Sequence, residues 1–252
     1  MRIHIIACRV LTRELSYYAA LSPHTVDITW LPQGLHDNPD RLRAMLQSAI
    51  SGLEADIEGG LMKHWPDAVV LGYGLCSNGV VGLRAGKIPL VIPRTDDCIA
   101  LFLGSQTRYL ELFAQQPGTF WLNSGWMESA FLPLPDYLEQ RKAEYIQKYG
   151  EDNAAYLLEQ DMQWIERYQA CGYIRSPRLE SGPGPRAAKR LAQETGWDFF
   201  SVDGSDRLLQ AMVRSEWTEQ EFLICPPGYQ VAAAYDGSKI TAMAPGPKEV
   251  SL

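Results

Sequence analysis

Three cysteines, Cys8, Cys76 and Cys98, each stand just past a short apolar run that reads as a β-strand: residues 3–7, 68–73 and 89–93. In a parallel α/β sheet the carboxyl ends of the strands share one edge, and ligands bind along it. Three thiols delivered to that edge could face one pocket. Gathered thiolates suit zinc, an iron–sulfur cluster or redox chemistry.

Around Cys76 the chain reads Tyr73-Gly74-Leu75-Cys76-Ser77-Asn78-Gly79, a glycine-bearing turn between a strand and a helix. Gly74 and Gly79 would let backbone approach a ligand closely, and Asn78 joins them as a candidate ligand-binding residue. The turn is neither a dinucleotide fingerprint nor a P-loop, because G-x-G-x-x-G is not satisfied and no Gly-Lys-Ser/Thr follows. Its alternative reading is a tight turn around a small buried residue. Around Cys98 the chain reads Arg94-Thr95-Asp96-Asp97-Cys98. Asp96 or Asp97 can cap a helix starting near Cys98, and a cysteine in a first helical turn has a lowered pKa. Arg94 could neutralise those acids, so Arg94 and Asp97 count as candidate ligand-binding residues. Cys171 reads as the end of a helical stretch. Cys225 ends a strand and is a weaker candidate for a fourth ligand on the same edge.

Of four histidines, His36 follows the second strand and precedes a capped helix, which places it on the cysteine edge as a candidate metal ligand. A histidine bonded to loop backbone fits it equally. His4 is mid-strand and structural; His24 and His64 sit in loops next to prolines. H-x-x-x-H, C-x-x-C and G-x-S-x-G are all absent, so zincin, thioredoxin and serine-hydrolase readings have no support.

The elements that must hold these residues alternate. A strand at 3–7 is followed by a helix over 10–21, a strand at 25–31 and a helix opened by Asn38-Pro39-Asp40. Asn caps, Pro suits the first helical position, and an acid favours the first turn. Leu42, Met45, Leu46, Ala49, Ile50, Leu53 and Ile57 then recur at helical spacing. Strands at 67–73, 89–93 and 119–122 follow. The rhythm predicts an α/β fold, a mainly parallel Rossmann-like sheet flanked by helices. Between about 127 and 175 the pattern turns helical and charged, which predicts a helical excursion. Residues 176–186, rich in Pro, Gly and Ser, read as a loop. A helix over 187–194, a strand at 198–202, a helix over 208–214 and a strand at 222–225 restore the rhythm. The expectation is one domain over residues 1–252.

Composition narrows the classes. A net charge of −7 argues against a nucleic-acid surface, which needs clustered Lys and Arg. No apolar stretch approaches the ~20 residues of a membrane span, and residues 1–7 show no signal-peptide pattern. Five widely spaced cysteines with no export signal fit a reducing cytoplasm, where thiols bind metal, catalyse or pack.

Taken together, these motifs resemble the family known as domain of unknown function 1638. They are Ile6-Ala7-Cys8, the segment 31–39 with Leu31-Pro32, Leu35-His36 and Pro39, and the Tyr73–Gly79 turn. Asp97-Cys98, Thr119-Phe120 and the late Gly204…Leu208-Leu209…Trp217…Phe222-Leu223…Pro226-Pro227-Gly228 complete the set. This chain has Asp97 where many relatives carry histidine, and Ser77-Asn78 where they carry Gly-Thr. The family has no settled activity. Its genes often stand beside those of corrinoid-dependent methyltransferases, so the resemblance implies one-carbon metabolism with a small-molecule substrate or a corrinoid or methyltransferase protein as partner.

The leading expectation is a metal site of Cys8, Cys76 and Cys98, with His36 as a possible fourth ligand. Three thiolates leave a position open, which points to catalysis rather than a closed structural zinc. A [4Fe–4S] cluster fits slightly better than zinc, because ligands on three strand ends suit a bulky group. Two rivals remain. One is a small-molecule or anion-binding module that needs no metal. The other is a thiol redox enzyme cycling Cys76 and Cys98 through a disulfide.

Overall fold

The computed structural model describes residues 1–129, 132, 135–163, 165–179 and 184–245. Two compact units divide the chain: Met1–Arg108 with the described part of Ser205–Leu252, and Tyr109–Gly204.

In the first unit the chain runs β1 (Arg2–Cys8), α1 (Thr12–Ala20), β2 (Thr25–Leu31), α2 (Pro39–Glu58), β3 (Ala68–Gly72), β4 (Leu90–Pro93) and α3 (Cys98–Leu103). Helix α4 (Gln106–Gln115) begins at its boundary. Asn38 caps α2 as its sequence requires: the Asn38 Oδ1 accepts from the Arg41 N–H at 3.0 Å, and Pro39 opens the helix. The buried stripe of α2 is Leu42, Leu46, Ile50, Leu53 and Ile57. Strand β3 is buried along its whole length because it lies between β1 and β4, with both faces covered.

The strand order is β2-β1-β3-β4-β8, where β8 is Phe222–Cys225. β1 pairs in parallel with β2 and β3, and β3 with β4. The chain leaves β1 towards β2 and then returns to build β3 on β1's other side. The sheet therefore has its topological switch point between β1 and β3, and such sheets open a crevice there, outside the carboxyl ends. β8 pairs antiparallel to β4, matching Leu90 with Cys225 and Pro93 with Phe222. A small antiparallel pair, β9 (Gln230–Ala233) with β10 (Ile240–Met243), completes the unit. Helix α9 (Arg207–Arg214) packs on α1 and α3, and the Tyr18 hydroxyl donates to the Asp206 carboxylate at its start.

The second unit has its own parallel sheet of β5 (Thr119–Leu122), β6 (Ala170–Arg175) and β7 (Asp198–Asp203), in that order. Thr119–Leu122 is thus a strand as expected, but it belongs to a separate sheet. The helical excursion lies between β5 and β6 as α5 (Ser124–Ser129), α6 (Pro135–Tyr149) and α7 (Glu151–Met162). It ends before Ala170, since β6 occupies Ala170–Arg175. Residues 130, 131, 133, 134 and 164 of the excursion lie outside the described residues, as do 180–183 of the expected loop. Helix α8 (Gly184–Thr195) takes the last three positions of that loop. The core of this unit gathers Leu122, Cys171, Tyr173, Ala188, Leu191, Ala192 and Trp197. Among the described residues no helix is long and apolar enough to cross a membrane.

Candidate functional site

Cys8 is the last residue of β1, Tyr73 directly follows β3, and Cys98 opens α3 after β4. All three strands run parallel, so these residues and Cys76 come to one edge of one sheet. Cys8 and Tyr73 flank the switch point. Cys8 and Cys76 are buried, with 9% and 8% of their surfaces exposed, whereas Cys98 is half-buried.

Two loops make the floor of the site, and backbone hydrogen bonds join them. The Leu75 N–H donates to the Thr95 carbonyl and the Cys76 N–H to the Asp96 carbonyl, each at 2.8 Å. This contact needs Gly74. A Cβ there would lie 2.6 Å from both the Thr95 carbonyl oxygen and Thr95 Oγ1. Gly79 is held against α2 in the same way, since a Cβ on it would lie 2.5 Å from a Leu42 methyl group. Both glycines therefore accommodate neighbouring protein groups.

Between them, Cys76, Ser77 and Asn78 adopt φ of 44°, 59° and 65°. Three consecutive non-glycine residues are left-handed, and the Gly79 N–H closes the turn on the Cys76 carbonyl at 3.1 Å. Each such residue costs roughly 1–2 kcal/mol, less for Asn, whose short polar side chain tolerates the region. Strain of this kind concentrates where a side chain must be aimed. Here the side chain aimed is the Cys76 thiol.

The Cys8 thiol and the Tyr73 hydroxyl interact. Tyr73 is 3% exposed and its Oη has no hydrogen-bond partner. Cys8, Cys76 and Cys98 all act electrostatically on this hydroxyl. Tyr73 thus lies within electrostatic reach of all three thiols. Burial, then the neighbouring thiols, pushes the Tyr73 pKa far above the usual phenol value, so it keeps its proton. Burial pushes the Cys8 thiol up, opposed by the backbone of Val10, the Tyr73 hydroxyl and the backbone of Arg9. The Cys76 thiol is raised strongly by burial and then by the negative charge of Asp97. Raised in this way, the Cys8 and Cys76 thiols stay protonated at neutral pH.

Asp97 caps α3, its Oδ1 accepting from the Ile99 N–H at 2.8 Å. Asp96 is engaged elsewhere. It forms an ion pair with Lys239 and exchanges two hydrogen bonds with the Gln106 side chain. Arg94 neutralises neither acid's neighbourhood directly. Its guanidinium donates to the carbonyls of Glu219 at 2.9 Å, Ser238 at 2.7 Å and Ile240, which ties the loop after β4 to the tail of the unit. His36 follows β2 at the sheet margin, and its Nε2 lies 3.4 Å from Asp37 Oδ1. His4 is a strand histidine bonded to Thr29 Oγ1 at 2.9 Å.

Two placements correct the sequence reading. Cys225 lies on the opposite edge, paired with Leu90 at the amino end of β4, because β8 runs antiparallel. Cys171 lies within β6, buried against the Ala188 carbonyl, with burial pushing its thiol up to about 12. Tyr73 is the residue that the sequence reading passed over. Its signal was an aromatic hydroxyl ending an aliphatic strand and opening the glycine turn.

The donor set suits a soft metal centre: three thiols on three loops, beside a buried hydroxyl with no partner. Side chains as they stand do not form a finished cage. Among the described residues, no group of three or more His, Cys, Asp or Glu is arranged to hold a metal ion.

A family model described as "Protein of unknown function (DUF1638)" matches residues 30–213. That segment contains His36, Tyr73, Cys76 and Cys98; Cys8 precedes it. No match was found among curated proteins or among solved structures.

Proposed function

The chain belongs to the DUF1638 family, and we propose that Cys8, Cys76 and Cys98 hold a soft metal centre at the carboxyl edge of its sheet, a [4Fe–4S] cluster in preference to a single zinc. The observation carrying this reading is that three parallel strands bring all three thiols to one edge of one sheet, beside the switch point. Buried thiols that cannot ionise alone become good ligands once a cation displaces their protons. Closing on the metal requires the side chains to turn towards one another, and the hydrogen-bonded loops hold their backbones in place. Cys98, half exposed, would face the opening through which a small molecule reaches the remaining coordination position.

When bound, the metal would supply Lewis acidity or, as a cluster, an exchangeable coordination site. The chain contributes a dry floor, a left-handed turn aiming Cys76, and an Asp97 cap fixing the backbone at Cys98. Service to corrinoid-linked methyl transfer, with a corrinoid or methyltransferase protein as partner, is the setting that the family resemblance implies. Thiol redox chemistry fits less well, because burial holds Cys76 protonated and so makes it a poor nucleophile. His36 is a weaker fourth ligand than an external one, since it follows the marginal strand β2.

Protein purified without oxygen tests the proposal through its absorption spectrum and metal content. A broad band near ~400 nm indicates a cluster, and one zinc per chain without colour indicates the zinc form. Cys8→Ser, Cys76→Ser and Cys98→Ser should each strip the metal. Colourless, metal-free wild-type protein that also refuses iron and zinc on reconstitution would end the reading.

A further inference from the structure

The sheet of the second unit sorts its polar groups by face. Register pairs Leu122 with Tyr173 and Tyr173 with Ser201, so alternation puts Leu122, Tyr173, Arg175 and Ser201 on one face and Trp121, Gly172, Ile174 and Phe200 on the other. Towards the carboxyl ends, the first face is fully committed. The Ser124 and Tyr173 hydroxyls hydrogen-bond at 3.0 Å, and the Arg175 guanidinium donates to Ser201 Oγ at 2.9 Å and Asp203 Oδ1 at 2.8 Å. The second face differs. Asn123 follows β5 on it and Ser176 follows β6, where the Gly204 N–H, donating to the Arg175 carbonyl at 2.8 Å, extends the ladder past the end of β7. Trp121 Nε1, Asn123 Nδ2 and Ser176 Oγ are all buried there without a hydrogen-bond partner. Asn123 as a whole is 3% exposed. Its amide orientation is set, because Asn123 Oδ1 accepts from the Trp126 N–H at 2.8 Å, which leaves its N–H groups uncommitted.

Buried polar groups of a native fold are normally hydrogen-bonded, and each one left unpaired is costly. These three carry four N–H or O–H donors against a single acceptor, the Ser176 oxygen. Water must itself donate two hydrogen bonds and matches that set poorly. A group that only accepts matches it well, and hydrogen bonds to an ionised acceptor are about twice as strong as neutral ones. The strand positions of this face carry no Lys or Arg, so its neutral donors suit one negative charge better than a phosphate dianion. Beside them the Trp121 and Phe200 rings meet edge-on, their centroids 5.5 Å apart. Gly172 lies between the two strands and leaves room for the Trp121 ring. We propose that the carboxyl end of this face binds a small monocarboxylate with an apolar or aromatic body. Asn123 Nδ2, Ser176 Oγ and Trp121 Nε1 are the donors to its oxygens, and the Trp121–Phe200 pair is the wall for its body. This proposal does not depend on the metal reading of the thiol edge.

Benzoate is the probe, added to full-length protein with isotope-labelled tryptophan. NMR follows the Trp121 indole N–H, assigned through Trp121→Phe. Benzoate should move this resonance saturably to lower field, as an indole N–H moves when it donates to an oxyanion. Benzyl alcohol, which has the ring without the charge, should leave it in place. Asn123→Asp keeps a capping oxygen for α5 but sets a negative charge where the amide donors stood, and it should abolish the shift. Ser176→Ala should weaken benzoate binding roughly tenfold. Ser124→Ala, whose hydroxyl is committed on the opposite face, should leave the affinity unchanged. If Asn123→Asp does not fold, the contrast between Ser176→Ala and Ser124→Ala decides. The proposal is overturned by the absence of a saturable shift with benzoate, by an equal shift with benzyl alcohol, by tighter binding of phenyl phosphate, or by equal losses in the two serine variants.

Discussion

The left-handed turn at Cys76-Ser77-Asn78 offers the sharpest test of how this edge is built. Replacing Ser77 by Gly removes a left-handed penalty of roughly 1–2 kcal/mol. It also loosens the unfolded chain by roughly 0.5–1 kcal/mol, the usual entropic disadvantage of glycine. Metal-free protein should therefore gain about 0.5–1 kcal/mol. Asn78→Gly should gain less, because Asn already tolerates positive φ. Ser77→Val should lose at least 1 kcal/mol, since a β-branched side chain at φ 59° is a severe misfit. For a chain of this size about 1 kcal/mol moves the melting temperature by roughly 2–4 °C, within reach of calorimetry or circular dichroism. If the turn exists to aim Cys76, Ser77→Gly should also weaken metal retention while raising the melting temperature, the trade expected of strain kept for function. Lower stability in Ser77→Gly, or no effect of Ser77→Val, would show that these residues are not left-handed in solution, and the account of Cys76 would fail with it.

Cys225→Ser should leave metal content unchanged, because antiparallel β8 puts that thiol on the far edge; loss of metal in this variant would refute the edge assignment. Metal affinity should rise about tenfold per pH unit for each thiol proton displaced on binding, as read by chelator competition between pH 6 and 8. Buried Cys8, Cys76, Cys171 and Cys225 all have raised thiol pKa values. Above the ordinary thiol value of about 8.5 the unfolded thiols therefore ionise before the folded ones. Metal-free protein should accordingly lose stability as pH rises above that value, by up to about 1.4 kcal/mol per unit for each thiol that the fold keeps protonated, in denaturant melts across pH 8 to 10. Arg94→Met should cost about 2 kcal/mol by leaving the carbonyls of Glu219, Ser238 and Ile240 without their charged donor. Metal content should persist in Arg94→Met, which separates this structural tie from the site.

Much of the first unit was legible because its signals are local. Asn38-Pro39-Asp40 names a helix start by capping chemistry alone, and the stripe from Leu42 to Ile57 names its buried face. The second unit was less legible. β6 reads Ala-Cys-Gly-Tyr-Ile-Arg, with a glycine at its centre and a charged helical stretch before it. That glycine makes room for the Trp121 ring of the neighbouring strand, since a Cβ there would sit 2.8 Å from the ring. A strand shaped to fit its neighbour's ring carries little strand signal of its own. Assignment of β5 to a separate sheet was hidden for the same reason: pairing with β6 is a long-range choice that no window around Thr119 records.

The cysteines show where the strand-end argument holds and where it stops. Placing a residue just past an apolar run fixes its edge only if the strand's direction is known. Helices intervene between β1 and β3, as a crossover requires, and β4 then pairs parallel to β3, so Cys8, Cys76 and Cys98 share an edge. The same position at the end of β8 sends Cys225 to the other edge, because that strand enters beside β4 from the opposite direction. Direction in that case depends on which strand β8 joins, and nothing around Phe222 states the partner. Tyr73 was hidden differently. Its place at the strand end was readable, but its chemistry comes from burial and from lying within electrostatic reach of three thiols. Neither fact is a property of the segment Tyr73–Gly79. Both arise only when three loops, far apart in the chain, close over the crevice between β1 and β3.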